Sequence, residues 1–238
     1  MTGVGDVWVY LSQSPLLWLT VTVWAYLGGY AIYAKAGLHP ALNPVLIAVA
    51  VIAGLLVVTD TGYQTYFDGA QFVHFLLGPA TVALAVPLFE NAREVRKTAL
   101  PILCALVAGA ATAVASAVAV VTLLGGSDGA IASIAPKSVT TPIAMGISER
   151  IGGLPSLTAV LVIFTGIFGA IAVTPFFNLL RVTDWRARGF ATGLAAHGIG
   201  TARAFQVNPV AGAFAGLAMG LNGLATAILA PLLFLLLG

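Results

Sequence analysis

The stretch PVAGAFAGLAMGLNGLATAILAPLLFLL, residues 209–236, decides the class of this protein. It contains no charged side chain, and about 20 apolar residues are enough for a helix to cross a bilayer core of about 30 Å. Four more stretches are long and apolar enough to cross: 15–34, 41–59, 98–124 and 155–180. The sequence therefore predicts an all-α polytopic membrane protein.

Composition supports the same class. Of the 238 residues, 60% are hydrophobic and only 8% are charged, whereas soluble domains carry about 25% charged residues. The net charge of +2 comes from basic residues in short loops, so nucleic acid is not an expected partner. The single cysteine, Cys104, excludes a disulfide within the chain.

Three further segments are unusual. Residues 69–90 and 188–206 are long enough to cross, but Gly78-Pro79 interrupts the first, and Gly193 and Gly198-Ile199-Gly200 interrupt the second. Residues 129–148 are only mildly apolar and contain two prolines, and a helix over 136–148 would measure about 20 Å, too short to cross. We therefore expect about seven transmembrane helices, some of them discontinuous, plus one re-entrant segment at 129–148.

The charges in the loops give the orientation. Basic residues follow the first and third helices, while the alternate loops carry aspartates alone, which places the N-terminus outside. A full crossing by 129–148 would put the next basic cluster outside, against the positive-inside rule, whereas a re-entrant segment leaves it in the cytoplasm. That cluster is Arg181, Arg186 and Arg188. This topology has the N-terminus outside and the C-terminus inside, in a single transporter domain over 1–238.

A weak internal repeat accompanies this topology. A shift of 120 residues superposes Gly69 on Gly189, Gly78 on Gly198 and Thr81 on Thr201, which suggests inverted repeat halves at 41–124 and 155–236. A shift of 57 residues instead places Pro79, Thr81 and Val82 on Pro136, Ser138 and Val139. The sequence does not decide which of the two alignments reflects a real repeat.

The interrupted segments are where a binding site is expected. Irregular backbone survives in a membrane only where protein or water covers it, and half-helix N-termini favour anions. Lys137 and Arg203 lie beside the breaks, where a cation is costly unless it has a function. We expect an alternating-access site for a small anion, with His197 as a proton relay. Its predicted residues are Lys137, Ser138, Thr140, Thr141, Gly78, Thr81, His197, Gly198, Gly200, Thr201, Arg203 and Asn222.

Each assignment has a simpler alternative. Lys137 and Arg203 would reach water by snorkelling if their segments are shallow. His197 is equally suited to a structural hydrogen bond, and Asn222 to a bond between packed helices. Small residues at Ala105, Gly109, Ala113 and Ala117 form a packing stripe, on which we base the expectation of a homodimer. No spacing of His, Cys and carboxylates resembles a metal site, and we expect neither a cofactor nor an enzyme.

Two motifs carry a resemblance to a known family. They are Ala-Pro-Lys-Ser-Val-Thr-Thr-Pro-Ile-Ala-Met at 135–145 and Ala-His-Gly-Ile-Gly-Thr-Ala-Arg-Ala at 196–204. Through them, and over roughly residues 60–232, the chain resembles the LrgB/CidB family and the C-terminal half of the plastidial glycolate/glycerate translocator. The resemblance implies a bacterial cytoplasmic-membrane protein that works with a small LrgA/CidA-like membrane protein.

Two functions follow as expectations. The buried cations and hydroxyls favour a transporter of small 2-hydroxy or 2-oxo monocarboxylates, of the glycolate, glycerate, pyruvate or lactate type, with coupling to protons or sodium. The alternative implied by the family is a holin- or antiholin-like regulator of murein hydrolase export and autolysis. Loss of uptake in Lys137→Ala and Arg203→Ala is expected for the first function alone.

Overall fold

The computed structural model describes residues 14–76, 79, 83, 89 and 92–237, and the regular elements among them are all helices, as predicted. In chain order they are α1 (Pro15–Lys35), a 3₁₀ turn (Pro40–Leu42), α2 (Pro44–Val58), α3 (Tyr63–Phe75), α4 (Ala92–Lys97), α5 (Ala99–Leu123), α6 (Asp128–Ile134), α7 (Thr141–Arg150), α8 (Pro155–Leu179), α9 (Trp185–Val207) and α10 (Pro209–Leu237).

Four described helices are long and apolar enough to cross a membrane. They are α1, α5, α8 and α10 up to Leu236, and their length and composition indicate a membrane protein. The stretch predicted at 41–59 forms the shorter apolar helix α2. Most of 77–91 lies outside the described residues, so the predicted interruption at Gly78-Pro79, the full span at 69–90 and the inverted repeat stay predictions.

Polar caps set the helix starts that matter for the site. The Asn208 side chain accepts hydrogen bonds from the backbone N–H groups of Val210 (2.9 Å) and Ala211 (3.2 Å), and Pro209 is the first residue of α10. Asp184 likewise accepts from the Arg186 backbone N–H at the start of α9 (2.8 Å). Such caps satisfy N–H groups that have no partner inside the helix.

The chain divides into two compact units, residues 1–83 and 84–238. In the first unit α1 packs against α2 and α3. Close approach is possible there because Gly29 faces the backbone of Pro44 and Gly69 faces the backbone of Pro15. Trp18, fully buried, meets the ring of Tyr66 edge-on at a centroid distance of 5.8 Å.

In the second unit, α6 and α7 form a helical hairpin, hereafter hairpin A (residues 128–150). Its non-helical tip at 135–140 separates the two short helices. The base closes because the backbone N–H of Leu154 donates to Ser133 Oγ at 2.8 Å. Gly153 lies against the backbone of Ala132 and Ser133, where a Cβ atom would come within 2.9 Å. The backbone therefore enters and returns at the same end.

Helix α9 is also a hairpin, hereafter hairpin B (residues 185–207). The backbone leaves helical geometry at Ala196 and His197. A Cβ atom on Gly200 would lie 3.1 Å from the carbonyl oxygen of Thr192, eight residues earlier. Eight residues of straight helix would separate these positions by about 12 Å, so the chain reverses at 196–197.

Contacts with α10 confirm the reversal. Gly189 lies against the backbone of Ala211, and Gly193 against that of Ala215, so the first half of hairpin B runs parallel to α10. The second half leads directly into α10 and packs Phe205 on Gly212, as an antiparallel neighbour does. The expectation that 188–206 crosses as one interrupted helix is therefore wrong: the break lies at Ala196 and His197, between the predicted interruptions at Gly193 and Gly198-Ile199-Gly200, and the chain turns back there. A C-terminus on the cytoplasmic side, which required that crossing, loses its basis.

The two hairpins lie at opposite ends of the unit. Hairpin A connects the end of α5 to the start of α8, and hairpin B connects the end of α8 to the start of α10. Phe190 and Leu194 of hairpin B pack with Leu106 and Phe214, early in α5 and α10. The cluster that contains Val139 of hairpin A uses later residues of the same helices, namely Val114, Val118 and Ala230.

Candidate functional site

The tips of the two hairpins meet at Asn222, in the middle of α10. Its Nδ2 donates to the carbonyl oxygen of Ser138 in hairpin A (3.2 Å) and to that of Leu194 in hairpin B (2.9 Å). Its Oδ1 accepts from Thr226 Oγ1 at 3.2 Å, and the side chain is fully buried. Both carbonyls lie next to a helix break, so the amide supplies hydrogen bonds where regular helix pairing ends.

His197 forms the turn of hairpin B. Its φ of 41° and ψ of −136° give it a backbone conformation that residues other than glycine rarely adopt. The ring is buried, and Nε2 lies 2.9 Å from the carbonyl oxygen of Val162 in α8. Gly166 gives the ring its space, because a Cβ atom there would come within 2.6 Å of Cε1. This geometry supports the structural alternative for His197; the proton-relay role stays a prediction.

The predicted residues of hairpin A lie together at its tip. Lys137 is half-buried and its Nζ donates to Ser138 Oγ at 3.4 Å, while the Ser138 side chain is buried. Thr140 is the N-cap residue of α7 and Thr141 is its first residue. One cation, two further hydroxyl residues and a helix start therefore lie within three positions of Ser138, which Asn222 contacts, a combination that favours an anion.

The predicted glycines of hairpin B have different surroundings. Gly200 is closely packed against Ala196 and Thr192, which the reversal requires. Gly198 has more room: the nearest atom to an added Cβ would be Met219 Sδ at 3.8 Å. Thr201 is buried and its Oγ1 donates to the carbonyl oxygen of His197 at 2.8 Å.

The structure does not bring Arg203 to the tips. It lies about 9 Å along the second half-helix from His197 and lines a pocket with Trp185 and Arg188 at the open end of hairpin B. Gly78 and Thr81 lie outside the described residues, so their predicted part in the site is untested. Gly109, one of the small residues in the predicted packing stripe, faces Leu194 of the same chain.

Sequence reasoning missed a buried hydroxyl cluster at the base of hairpin A. Thr158 Oγ1 lies 2.7 Å from Ser148 Oγ and 3.0 Å from the carbonyl oxygen of Ser133, and all three residues are fully buried. Ser133 Oγ also bonds to the Gly129 carbonyl oxygen at 2.6 Å. Three isolated hydroxyl residues on three different helices leave no periodic signal in the sequence, so their convergence is purely tertiary.

The described residues do not provide a metal centre, since they contain no group of three His, Cys, Asp or Glu side chains that could hold one. Cys104 is free and exposed. The groups gathered at the tips are an ammonium, hydroxyls, an amide and backbone carbonyls. Their chemistry is that of binding and of helix-break stabilisation.

Comparisons with known proteins identify a family whose model covers most of the chain. The model of the LrgB-like family matches residues 22–236. A Bacillus subtilis protein named uncharacterized protein YwbG is 36% identical, over 90% of this chain and 95% of the relative. The holin-like protein CidB of Staphylococcus epidermidis is 29% identical over 83% and 86%, and the antiholin-like protein LrgB of Bacillus mycoides is 29% identical over 93% and 96%. No solved structure matches.

Proposed function

The chain belongs to the LrgB family, and we propose that it is a holin- or antiholin-like protein of the bacterial cytoplasmic membrane that regulates murein hydrolase export and autolysis. The observation that carries this proposal is the extent of the match. It runs from α1 to α10, so the relatives named holin-like and antiholin-like share the membrane core and not just one motif. A small LrgA/CidA-like membrane protein is the proposed partner.

We further propose that hairpins A and B are re-entrant and enter the membrane from opposite faces. The basic residues before α5 and those from the end of α8 into the first turn of hairpin B lie at the same end of the second unit, because hairpin B packs on the early part of α5. The positive-inside rule makes that end cytoplasmic. The basic residues are Arg93, Arg96 and Lys97 in the first group, and Arg181, Arg186 and Arg188 in the second.

A second candidate is a carrier for small 2-hydroxy or 2-oxo monocarboxylates such as glycolate. One observation favours it: the two tips are joined through Asn222, with Lys137 and Ser138 beside the junction. Opposed re-entrant hairpins that meet at midplane are the kind of irregular backbone found at transporter binding sites. In this candidate Lys137 neutralises the carboxylate, the hydroxyls of the tip bind the second oxygen, and His197 carries a coupling proton.

Two measurements on the same variants separate the candidates. In a bacterium deleted for its own LrgB-family protein, expression of the wild type should change the rate of detergent-induced autolysis. If regulation needs no anion transport, Lys137→Ala changes that rate to the same extent. Unchanged autolysis with correctly inserted wild-type protein, with and without an LrgA-like partner, contradicts the regulatory proposal.

The carrier candidate is tested in liposomes that contain the purified protein. Saturable uptake of radiolabelled glycolate should be lost in Lys137→Ala and retained in Lys35→Ala, a control that removes the same charge from the exposed end of α1. Absent uptake, an unselective leak, or wild-type uptake in Lys137→Ala would exclude this carrier site.

A further inference from the structure

A pocket at the open end of hairpin B is lined by two arginines. Arg188 comes from the first half of the hairpin and Arg203 from the second, and the reversal at 196–197 brings them to one pocket although they are 15 positions apart. Trp185 and Phe177 form part of its wall. Both arginines thus contribute a cationic side chain to the lining of one largely apolar pocket, and an anion bound there would be attracted to both charges.

Neutral groups hold Arg188 in place. Its Nε donates to the carbonyl oxygen of Val182 at 2.6 Å, and its Nη2 donates to Asn178 Oδ1 at 2.5 Å. The guanidinium carbon lies 4.9 Å from the ring centroid of Trp185 and 5.9 Å from that of Phe177. These contacts orient the group and use two of its five N–H donors without cancelling its charge.

The acidic residue nearest in sequence is engaged elsewhere. Asp184 forms an ion pair with Arg186, with 2.7 Å between Oδ2 and Nη2. The side-chain hydrogen bond from Arg186 holds the pKa of the Asp184 carboxyl below its ordinary value. The charge of Arg186 is therefore paired with that of Asp184, whereas Arg188 lines the pocket.

We propose that this pocket binds a phosphate group between Arg188 and Arg203. Guanidinium groups match phosphate oxygens in geometry as well as charge, and two of them suit a group with several anionic oxygens. The pocket lies at the end of the unit that carries the basic loops. Phosphate chemistry reaches that end either as a free anion or as the headgroup of an anionic phospholipid, and basic pockets between membrane helices take such headgroups.

The test measures thermal unfolding of the purified full-length chain. Inorganic phosphate is titrated against sodium chloride at equal ionic strength, and phosphatidylcholine nanodiscs are compared with and without phosphatidylglycerol. Saturating occupancy should raise Tm by about 5–10 °C in the wild type. The rise should persist in Arg186→Gln, which removes the same charge two positions away, and should disappear in Arg188→Gln and Arg203→Gln.

The two arms identify the source of the phosphate. A rise with inorganic phosphate indicates a free anion, and a rise with phosphatidylglycerol alone indicates a headgroup; both support the site. Absence of any rise in the wild type, or an equal rise in Arg188→Gln and Arg186→Gln, overturns the proposal. If a glutamine variant does not fold, Arg188→Lys and Arg203→Lys decide: a smaller rise supports bidentate phosphate binding, and an unchanged rise contradicts it.

Discussion

Hairpins A and B enter one helical unit from opposite ends and reverse the chain beside Asn222, yet different forces hold them. Hairpin A is tied to α8 by buried hydroxyls, with Thr158 bonded to Ser148 and Ser133. Hairpin B is held to α10 by close backbone contact at Gly189 and Gly193. Its turn needs only two non-helical residues, whereas the tip of hairpin A uses six.

The difference has a physical reason. A lipid environment supplies little hydrophobic driving force between helices, so their association depends on close packing and on hydrogen bonds. Each hairpin relies mainly on one of these. The comparison therefore predicts that hairpin B is sensitive to added volume and hairpin A to lost hydroxyls, while Asn222 matters for both.

The largest effect is expected from added volume in hairpin B. In Gly193→Val the new Cβ would overlap the carbonyl oxygen of Ala215, and backbone cannot move aside as a side chain can. We expect a loss of about 3 kcal/mol or more in the free energy of unfolding. The control is Gly220→Val in α10, where no atom lies within 4 Å of an added Cβ.

Denaturant titration of the purified protein in detergent measures both variants. Equal stability of Gly193→Val and Gly220→Val would mean that hairpin B does not press its backbone against α10. The conclusion that close backbone packing holds hairpin B to α10 would then be wrong.

An intermediate effect is expected at the junction of the hairpins. Asn222→Ala leaves the carbonyl oxygens of Ser138 and Leu194 without their amide donor, which should cost about 2 kcal/mol. Thr226→Val is the matched control, because it removes only the bond to Asn222 Oδ1. Urea or guanidinium titration should place Asn222→Ala well below Thr226→Val, and identical midpoints would show that Asn222 does not join the tips.

The smallest effect is expected from one hydroxyl of hairpin A. Thr158→Val keeps the shape of the side chain and removes its bonds to Ser133 and Ser148, at a cost of about 1 kcal/mol. Thr165→Val, on the same helix, removes only a bond to the Leu161 carbonyl oxygen within α8 and should be nearly neutral. A melting curve for each variant is sufficient, and a Thr165→Val loss as large as that of Thr158→Val would refute the cluster's role.

The sequence predicts those parts of the candidate site that depend on neighbouring residues, and it does not predict the parts that depend on contacts between distant ones. Lys137, Ser138 and His197 lie at breaks because proline and glycine interrupt apolar helices, and such interruptions are visible in one stretch of sequence. Arg203 was placed with them because it follows His197 closely, but the reversal carries it to the pocket of Arg188. For Asn222 the sequence leaves a binding role and a bond between packed helices both open, because its two partners are 84 and 28 positions away.

The sequence by itself determined the membrane class, the positions of the long apolar helices and the two breaks, because length, hydropathy and helix breakers act within a few turns of chain. It also indicated that a helix over 136–148, after the break at Pro136, is too short to cross. Only the tertiary structure decided that 185–207 turns back, that one amide joins both tips, and that Arg188 and Arg203 share a pocket. A break frees the backbone to change direction, but the direction it takes depends on distant surfaces such as Ala211 and Ala215, which local sequence does not encode.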